Sequence, residues 1–242
     1  FDAVKIINCW AFYNGYKPNS LDAAGNGTGF KAGGYGMSTT TLPKLPSVIP
    51  QHEVRGCLAY YNRARGFYAN HHLGGIIFEN NTVAASGSNF DMRNRKDGIT
   101  LPPEDISGYD HIIRNNLSFA GERGSTILEM LNRGKSTVEN NSFDLIDVLV
   151  DTDFLSLDET ELLKERKADG SLPDINFLRL TSDAELRFWG MGCFASDDAS
   201  KLKFDWLKKP TIVVVGNRAS VVGPNADQFT KIYVNKNGEE QE

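Results

Sequence analysis

An irregular internal repeat constrains the fold of this 242-residue chain more than any other feature of its sequence. Five segments each combine an apolar strand, a polar pair, and then small or apolar residues, and they begin at Val4, His52, Gly75, His111 and Ser136. The second members of the pairs are spaced by 48, 24, 35 and 25 residues, and they are Cys9, Cys57, Asn81, Asn116 and Asn141. The shortest spacings match one turn of a parallel β-solenoid, and the longer ones are explained by loops inserted at turns.

A second series of segments alternates with the first along the chain. It consists of "FDAV", "GFKAG", "GFYAN" and "NFDMR", whose phenylalanines are Phe1, Phe30, Phe67 and Phe90. A coil with two registered strands per turn would produce this order. We therefore predict an all-β chain folded as a parallel β-helix, in which the asparagines of the first series stack as a buried hydrogen-bonding ladder. Cys9 and Cys57 are expected to continue this ladder as small buried residues.

The C-terminal part of the chain does not follow the repeat. Residues 156–168 predict a short helix, which a capping-box pattern at Ser156 and Glu159 would begin. The stretch "PTIVVVGNRASVVG" at 210–223 predicts two short strands with a turn at Gly216 and Asn217. We expect a boundary near residue 186, with a β-helix domain at 1–186 and a C-terminal cap or small β module at 187–242.

Composition narrows the possible functions. The formal net charge of −5 gives no reason to expect nucleic-acid binding, and no apolar run reaches the length of a membrane span. Three cysteines are too few for a disulfide scaffold and are not spaced as zinc ligands, so we expect buried free thiols in a monomer. The start "FDAVKIINCW" reads as the middle of a domain, and we expect the sequence to begin inside one.

The second series also predicts a row of polar side chains on the surface. Side chains alternate between the two faces of a strand, so if the phenylalanines point inward, the residues after them point outward. Those residues are Asp2, Lys31, Tyr68 and Asp91. An open row with mixed polar groups and an aromatic ring suits an extended chain ligand such as a polysaccharide.

Residues beside this row extend the predicted groove. Gly33 and Gly34 are expected to leave space next to Lys31, and His71 and His72 follow Asn70 at the rim. Positive charge for an acidic polysaccharide could come from arginines on the same rungs, namely Arg55, Arg63, Arg65, Arg93 and Arg95.

These segments resemble a known family. "GNGTGFKAGG" resembles the Gly-Asn-Gly-X-Gly-Phe-Lys-X-Gly-Gly motif of polysaccharide lyase family 9, and "VRGCLAYYNRARGFYANHH" and "FENNTVAASGSNF" resemble the rungs that follow it there. The resemblance extends from Phe1 to about Glu185. It implies a right-handed parallel β-helix that cleaves pectic polysaccharides by β-elimination, with calcium and a lysine base.

The resemblance assigns roles to a few residues. The lysine of the motif is the base, and it falls on Lys31. Asp2 matches the end of the family's Asp-Asp-Gly-Phe-Asp calcium pattern, so it would be one Ca²⁺ ligand, and the other aspartates would precede Phe1. Calcium would neutralise the substrate carboxylate as a Lewis acid, and the need for a neutral lysine predicts an alkaline optimum. The expected substrate contacts are Tyr68, Asn70, His71, His72, Arg55 and Arg65.

Several readings of the function stay open. The pectic substrate could be rhamnogalacturonan I or polygalacturonate, and "YANHH" is closer to members that act on rhamnogalacturonan. A non-catalytic glycan-binding or structural β-solenoid is the alternative from another class. A β-helical glycoside hydrolase would need two carboxyl groups about 5 to 10 Å apart, whereas Asp2 and Asp91 are three rungs, roughly 14 Å, apart. The resemblance implies a bacterial protein that is secreted, periplasmic or on the cell surface.

Overall fold

The chain divides into two compact units, Phe1–Ala195 and Ser196–Glu242. The computed structural model describes residues 2–34, 46–98, 100, 102–120 and 125–195, and the strands at 211–215, 218–222, 234–236 and 239–241. Phe1 and the turn at Gly216 and Asn217 lie outside these residues. The expected boundary near residue 186 stays a prediction, and the first unit continues past it.

The first unit is a parallel β-helix with three strands in each turn, so the prediction of two strands per turn is wrong. Four of the five first-series segments form two short strands, because the polar pair bends the chain between them. The first sheet contains β1 (Lys5–Ile7), β4 (His52–Arg55), β7 (Ile76–Glu79), β12 (Ile112–Arg114) and β15 (Thr137–Glu139). The second sheet contains β2 (Trp10–Phe12), β5 (Leu58–Tyr60), β8 (Thr82–Ala84) and β13 (Leu117–Phe119). The third sheet contains β3 (Thr28–Lys31), β6 (Arg65–Tyr68), β9 (Ser88–Asp91) and β14 (Thr126–Glu129).

The predicted asparagine ladder is confirmed at the turn between the first and second sheets. The Oδ1 atom of Asn81 accepts from the Cys57 N–H, that of Asn116 from the Asn81 N–H, and that of Asn141 from the Asn116 N–H, each at 3.0 Å. The ladder ends at the Asp144 carboxylate, which accepts from both the N–H and the Nδ2 of Asn141. All three asparagines are fully buried.

The residue before each ladder position takes a left-handed backbone conformation. Its φ lies between 51° and 62°, and the column consists of Asn8, Gly56, Asn80, Asn115 and Asn140. Asparagine and glycine adopt this conformation more readily than other residues do. The two members of the polar pair therefore have different roles. The first turns the chain, and the second forms hydrogen bonds between adjacent rungs.

The cysteines continue the asparagine ladder only in part. Cys57 is fully buried, and burial raises the pKa of its thiol to about 12. Cys9 is exposed, so its predicted burial is wrong. Cys9 lies on the first rung of the described residues, and no described rung covers its outer side.

Two apolar cores hold the first unit together. The interior of the coil contains the predicted phenylalanine stack, with Phe30, Phe67 and Phe90 buried and ring centroids 5.0 and 5.1 Å apart. The second core lies on the outer face of the second sheet, where the segment after Leu149 packs over Leu58 and Leu117. That segment covers the second sheet and leaves the third sheet to carry the surface row.

The C-terminal elements differ from the predicted helix and agree with the predicted strands. Residues 156–168 contain only a 3₁₀ turn at Glu159–Leu163, capped by the Asp158 side chain, so the longer helix is wrong. The α-helix α1 spans Ser182–Arg187. Short antiparallel pairs are formed by β10 (Asn94–Arg95) with β11 (Asp105–Ile106), β16 (Thr211–Val215) with β17 (Arg218–Val222), and β18 (Val234–Lys236) with β19 (Glu239–Gln241).

Candidate functional site

Lys31 is the last residue of β3, and its side chain is exposed on the outer face of the third sheet. The preceding residue, Phe30, points into the coil and stacks on Phe67 with an interplanar angle of 8°. Because successive side chains alternate across a strand, the buried ring directs Lys31 outward. The orientation that the second series predicts for Lys31 is therefore present in the structure.

The backbone after Lys31 is held by the loop of the next rung. A Cβ atom on Gly33 would lie 2.3 Å from the carbonyl oxygen of Ala69 and 2.4 Å from the Cβ of His72. The Asn70 side chain donates to the Gly33 carbonyl at 2.6 Å. The expectation that Gly33 leaves open space is therefore wrong, because the glycine permits a close backbone approach. Gly34 is the exposed position of the two.

From Lys31 to Asp91 the predicted row has the correct register, but it is not entirely on the surface. Lys31 pairs with Tyr68, Tyr68 with Asp91, and Asp91 with Glu129 on neighbouring strands. Tyr68 is 5% exposed and Asp91 is fully buried, however. The Arg65 guanidinium lies 4.4 Å from the centre of the Tyr68 ring and covers it. The expected stacking face of Tyr68 is thus occupied by a cation.

Asp91 holds two arginines over the row. Its Oδ2 atom lies 2.5 Å from the Arg65 Nε and 2.8 Å from the Arg93 Nη2, and its Oδ1 accepts from the Arg93 Nε at 2.8 Å. The hydrogen bond to Asp91 raises the pKa of Arg93. The side chains of Arg65 and Arg93 remain 24% and 23% exposed, so a buried carboxylate fixes two cations that reach solvent on the two rungs after that of Lys31.

His71 extends this network away from the strands. Its Nε2 lies 2.7 Å from the Tyr68 hydroxyl, and its Nδ1 lies 2.9 Å from Asp105. Burial, with help from Arg95 and Arg93, lowers the pKa of His71 to about 4, so the ring is neutral near pH 7. A neutral imidazole has one donor and one acceptor nitrogen. The proton belongs on Nδ1, which faces the carboxylate, and Nε2 accepts from Tyr68.

Two of the expected substrate contacts lie elsewhere. His72 is fully buried, and its Nε2 lies 2.8 Å from the Pro50 carbonyl oxygen, so it supports the loop and does not reach the rim. Burial also lowers the pKa of His72. Arg55 belongs to the first sheet, where it forms ion pairs with Glu53 and Glu79. The structure does not bring Arg55 to the row of Lys31, because a strand in another sheet faces another side of the coil.

Asp2 is exposed and precedes β1. Among the residues that the structure describes, no group of three or more His, Cys, Asp or Glu side chains is arranged to hold a metal ion. The described residues therefore do not fit a complete calcium site, and the role of Asp2 stays a prediction of the resemblance.

Sequence reasoning missed two acids of this site. Asp105 reaches Arg93, Arg95 and His71 from the β10–β11 pair, which interrupts the repeat and carries no periodic signal. Glu129 lies on the rung after Asp91 and 3.6 Å from Arg93. Extending the second series by one rung, to "TILE" at 126–129, would have found Glu129.

Comparisons with family models divide the chain into two matches. A model of the Pel9A-like right-handed β-helix region matches residues 2–116. A model of the rhamnogalacturonan lyase-like C-terminal region matches residues 132–242. The first match contains the first three turns of the coil and the row from Lys31 to Asp91.

Individual proteins that are similar to this chain are named pectate lyase or rhamnogalacturonan lyase. Over 184 residues, or 76% of this chain, it is 32% identical to pectate lyase L of Dickeya chrysanthemi and 30% identical to pectate lyase L of Dickeya dadantii (strain 3937). A solved rhamnogalacturonan lyase is 64% identical with a TM-score of 0.77, covering 81% of this chain and 46% of that protein. The crystal structure of pectate lyase Pel9A is 30% identical with a TM-score of 0.55, covering 75% of this chain and 38% of that protein. The chain spans 37% of the length of each of the two Dickeya relatives.

Proposed function

The chain belongs to polysaccharide lyase family 9, and from this premise we propose that it cleaves a galacturonate-containing pectic backbone by β-elimination. The observation that carries the proposal is the exposed Lys31 at the end of β3, beside guanidinium groups that a buried carboxylate holds in place. Its relatives' names support a pectic substrate.

Lys31 acts as the base in this proposal. Its neutral amine takes the proton from C5 of a galacturonate, the C5–H electrons form the C4–C5 double bond, and the C4–O4 bond breaks. Water supplies the proton to the departing O4. A general base contributes about 10² to 10⁴ in rate, and only the neutral amine can accept a proton, so we expect the rate to rise with pH.

Arg65 and Arg93 recognise the substrate carboxylate. A guanidinium offers paired N–H donors that match a carboxylate, and Asp91 fixes the position of both groups before substrate arrives. Pre-positioned donors gain more from a developing negative charge than mobile ones do. We therefore assign these arginines to orienting the galacturonate over Lys31 and stabilising the enolate-like anion.

Rhamnogalacturonan is the preferred substrate in this proposal. The cations of the row are largely balanced by acids, since Arg93 contacts Asp91, Asp105 and Glu129. A nearly neutral surface suits a backbone in which uronates alternate with uncharged sugars better than one in which each unit is charged. The rhamnogalacturonan lyase at 64% identity supports the same choice.

The glycoside hydrolase alternative gains no support from the site. Asp91 is fully buried and bound by two arginines, whereas a catalytic acid must reach the glycosidic oxygen with a proton.

Secretion and calcium dependence remain predictions of the family resemblance. No helix among the described residues has the length and apolar composition needed to cross a membrane.

The test compares Lys31→Ala with Lys17→Ala, a control at an exposed lysine that pairs with Asp22. Ultraviolet absorbance of the 4,5-unsaturated product is followed on rhamnogalacturonan and on polygalacturonate, with added calcium or with chelator. We expect Lys31→Ala to lose about 10² to 10⁴ in kcat and Lys17→Ala to retain the wild-type rate. Saturated products, or full activity in Lys31→Ala, would contradict the proposal.

A further inference from the structure

A second pocket lies on another side of the coil. A cavity of about 530 Å³ opens over the second sheet, and its walls include Tyr13, Tyr60, Tyr61, Ala85, Phe119 and Glu159. Its lining residues come from the second sheet and the turns that follow its strands, from Leu21 in the loop between β2 and β3, and from the segment after Leu149. None of them belongs to the third sheet, which carries Lys31.

A column of equivalent turn residues shapes this cavity. The N–H groups of Tyr13, Tyr61 and Ala85 donate to the carbonyl oxygens of Tyr60, Ala84 and Phe119 on successive rungs. The rings of Tyr13 and Tyr61 stack with centroids 4.8 Å apart. On the third rung the ring is replaced by the methyl group of Ala85, which also lines the cavity.

The backbone of this column is strained. The φ values of Tyr13, Tyr61 and Ala85 are 54°, 49° and 51°, and bulky residues rarely adopt this left-handed conformation. The column at the other turn meets the same demand with asparagine and glycine. The coil therefore does not require tyrosine at this turn on two successive rungs. Strained residues of this kind cluster at binding sites.

The charges of the cavity select its ligand. Glu159 accepts hydrogen bonds from the hydroxyls of Tyr13 at 2.6 Å and Tyr60 at 2.5 Å, and Asp151 also lies in the wall. Among the residues that the structure describes, no lysine or arginine lines the cavity. Two carboxylates disfavour a uronate, whereas a flat aromatic face with a few polar groups suits an uncharged ring that has one apolar face and several hydroxyls.

We propose that this cavity binds a neutral pyranose unit of a glycan against the tyrosine rings of its wall. The inference rests on the proposed function only for the source of the sugar, which would be an uncharged unit of the same pectic polymer. Binding here holds the polymer at a second point, on a side of the coil different from that of Lys31.

Titrations with L-rhamnose, D-galactose and D-galacturonate test the proposal. Binding is read from the NMR signals of the cavity residues, so that galacturonate bound at Arg65 and Arg93 is not counted, and Lys31→Ala is measured beside the wild type. We expect saturable binding of at least one neutral sugar by both proteins, and at least tenfold weaker binding of galacturonate. Ala85→Tyr repeats the residue of the two preceding rungs and puts a ring into the wall of the cavity, so it should weaken neutral-sugar binding at least tenfold. Tyr61→Asn, which tolerates the backbone conformation, should do the same.

Several results would overturn the proposal. They are no saturable binding of either neutral sugar, equal binding of galacturonate, or unchanged binding in the folded Ala85→Tyr variant. Tighter binding of tetramethylammonium than of either sugar would instead identify an aromatic site for cations. Because these measurements do not use lyase activity, sugar binding in an inactive protein would separate this inference from the proposed function.

Discussion

Replacing Asn116 by alanine removes the centre of the asparagine ladder. The Asn116 Oδ1 accepts from both the N–H and the Nδ2 of Asn81, and its Nδ2 donates to the carbonyl oxygen of Phe78 and to Asn141. The Asn81 Nδ2 retains a second acceptor in Val54, but the Asn81 N–H has no other acceptor among the described residues. The buried Asn81 N–H left without a partner costs about 1 to 3 kcal/mol, and the lost hydrogen bonds to Phe78 and Asn141 cost about 1 kcal/mol each. We expect Asn116→Ala to lower the free energy of unfolding by about 3 to 5 kcal/mol.

Urea unfolding followed by circular dichroism measures this change. Asn176→Ala is the control, because Asn176 is exposed and a surface substitution usually changes stability by less than about 0.5 kcal/mol. The reasoning is refuted if Asn116→Ala loses less than about 1 kcal/mol or if the two variants unfold alike. Either result would mean that packing alone holds adjacent rungs in register.

Three further changes test other parts of the structure. Burial lowers the pKa of both His71 and His111 to about 4, so the unfolded chain binds protons first and stability should fall as the pH drops from about 6.5 to 4, by at most about 3 kcal/mol for each ring. Unfolding curves across this range, with a shallower slope in His71→Gln, check it. Gly33→Ala should lower the melting temperature by several degrees in calorimetry, since its Cβ would overlap the neighbouring loop. Asp91→Asn should raise KM for the pectic polymer by loosening the two arginines, and an unchanged KM would count against their assigned role.

The repeat predicts the coil, the ladder and the direction of Lys31 because each depends on a residue type that recurs at every rung. The burial of Tyr68 could not be foreseen, since it depends on Arg65 folding across the rung. A coil with two strands per turn would bring Arg55 close to the row of Lys31. In the three-stranded turn Arg55 lies on the first sheet and Lys31 on the third, and these sheets face different directions. His71 meets Asp105 through a loop pair with no periodic signal, so only the folded chain brings them together.

The ladder described above has a direction. Within the ladder, each Oδ1 accepts from the preceding member and each Nδ2 donates to the following one, from the N–H of Cys57 to the carboxylate of Asp144. A carboxylate can only accept, so the ladder ends at Asp144. A rung carrying asparagine can therefore be duplicated anywhere before Asn141 without leaving a donor unmatched, whereas growth beyond Asp144 requires its replacement. The C-terminal end of the ladder is thus set locally, by one acid, and whole turns can be inserted upstream of it without changing that end.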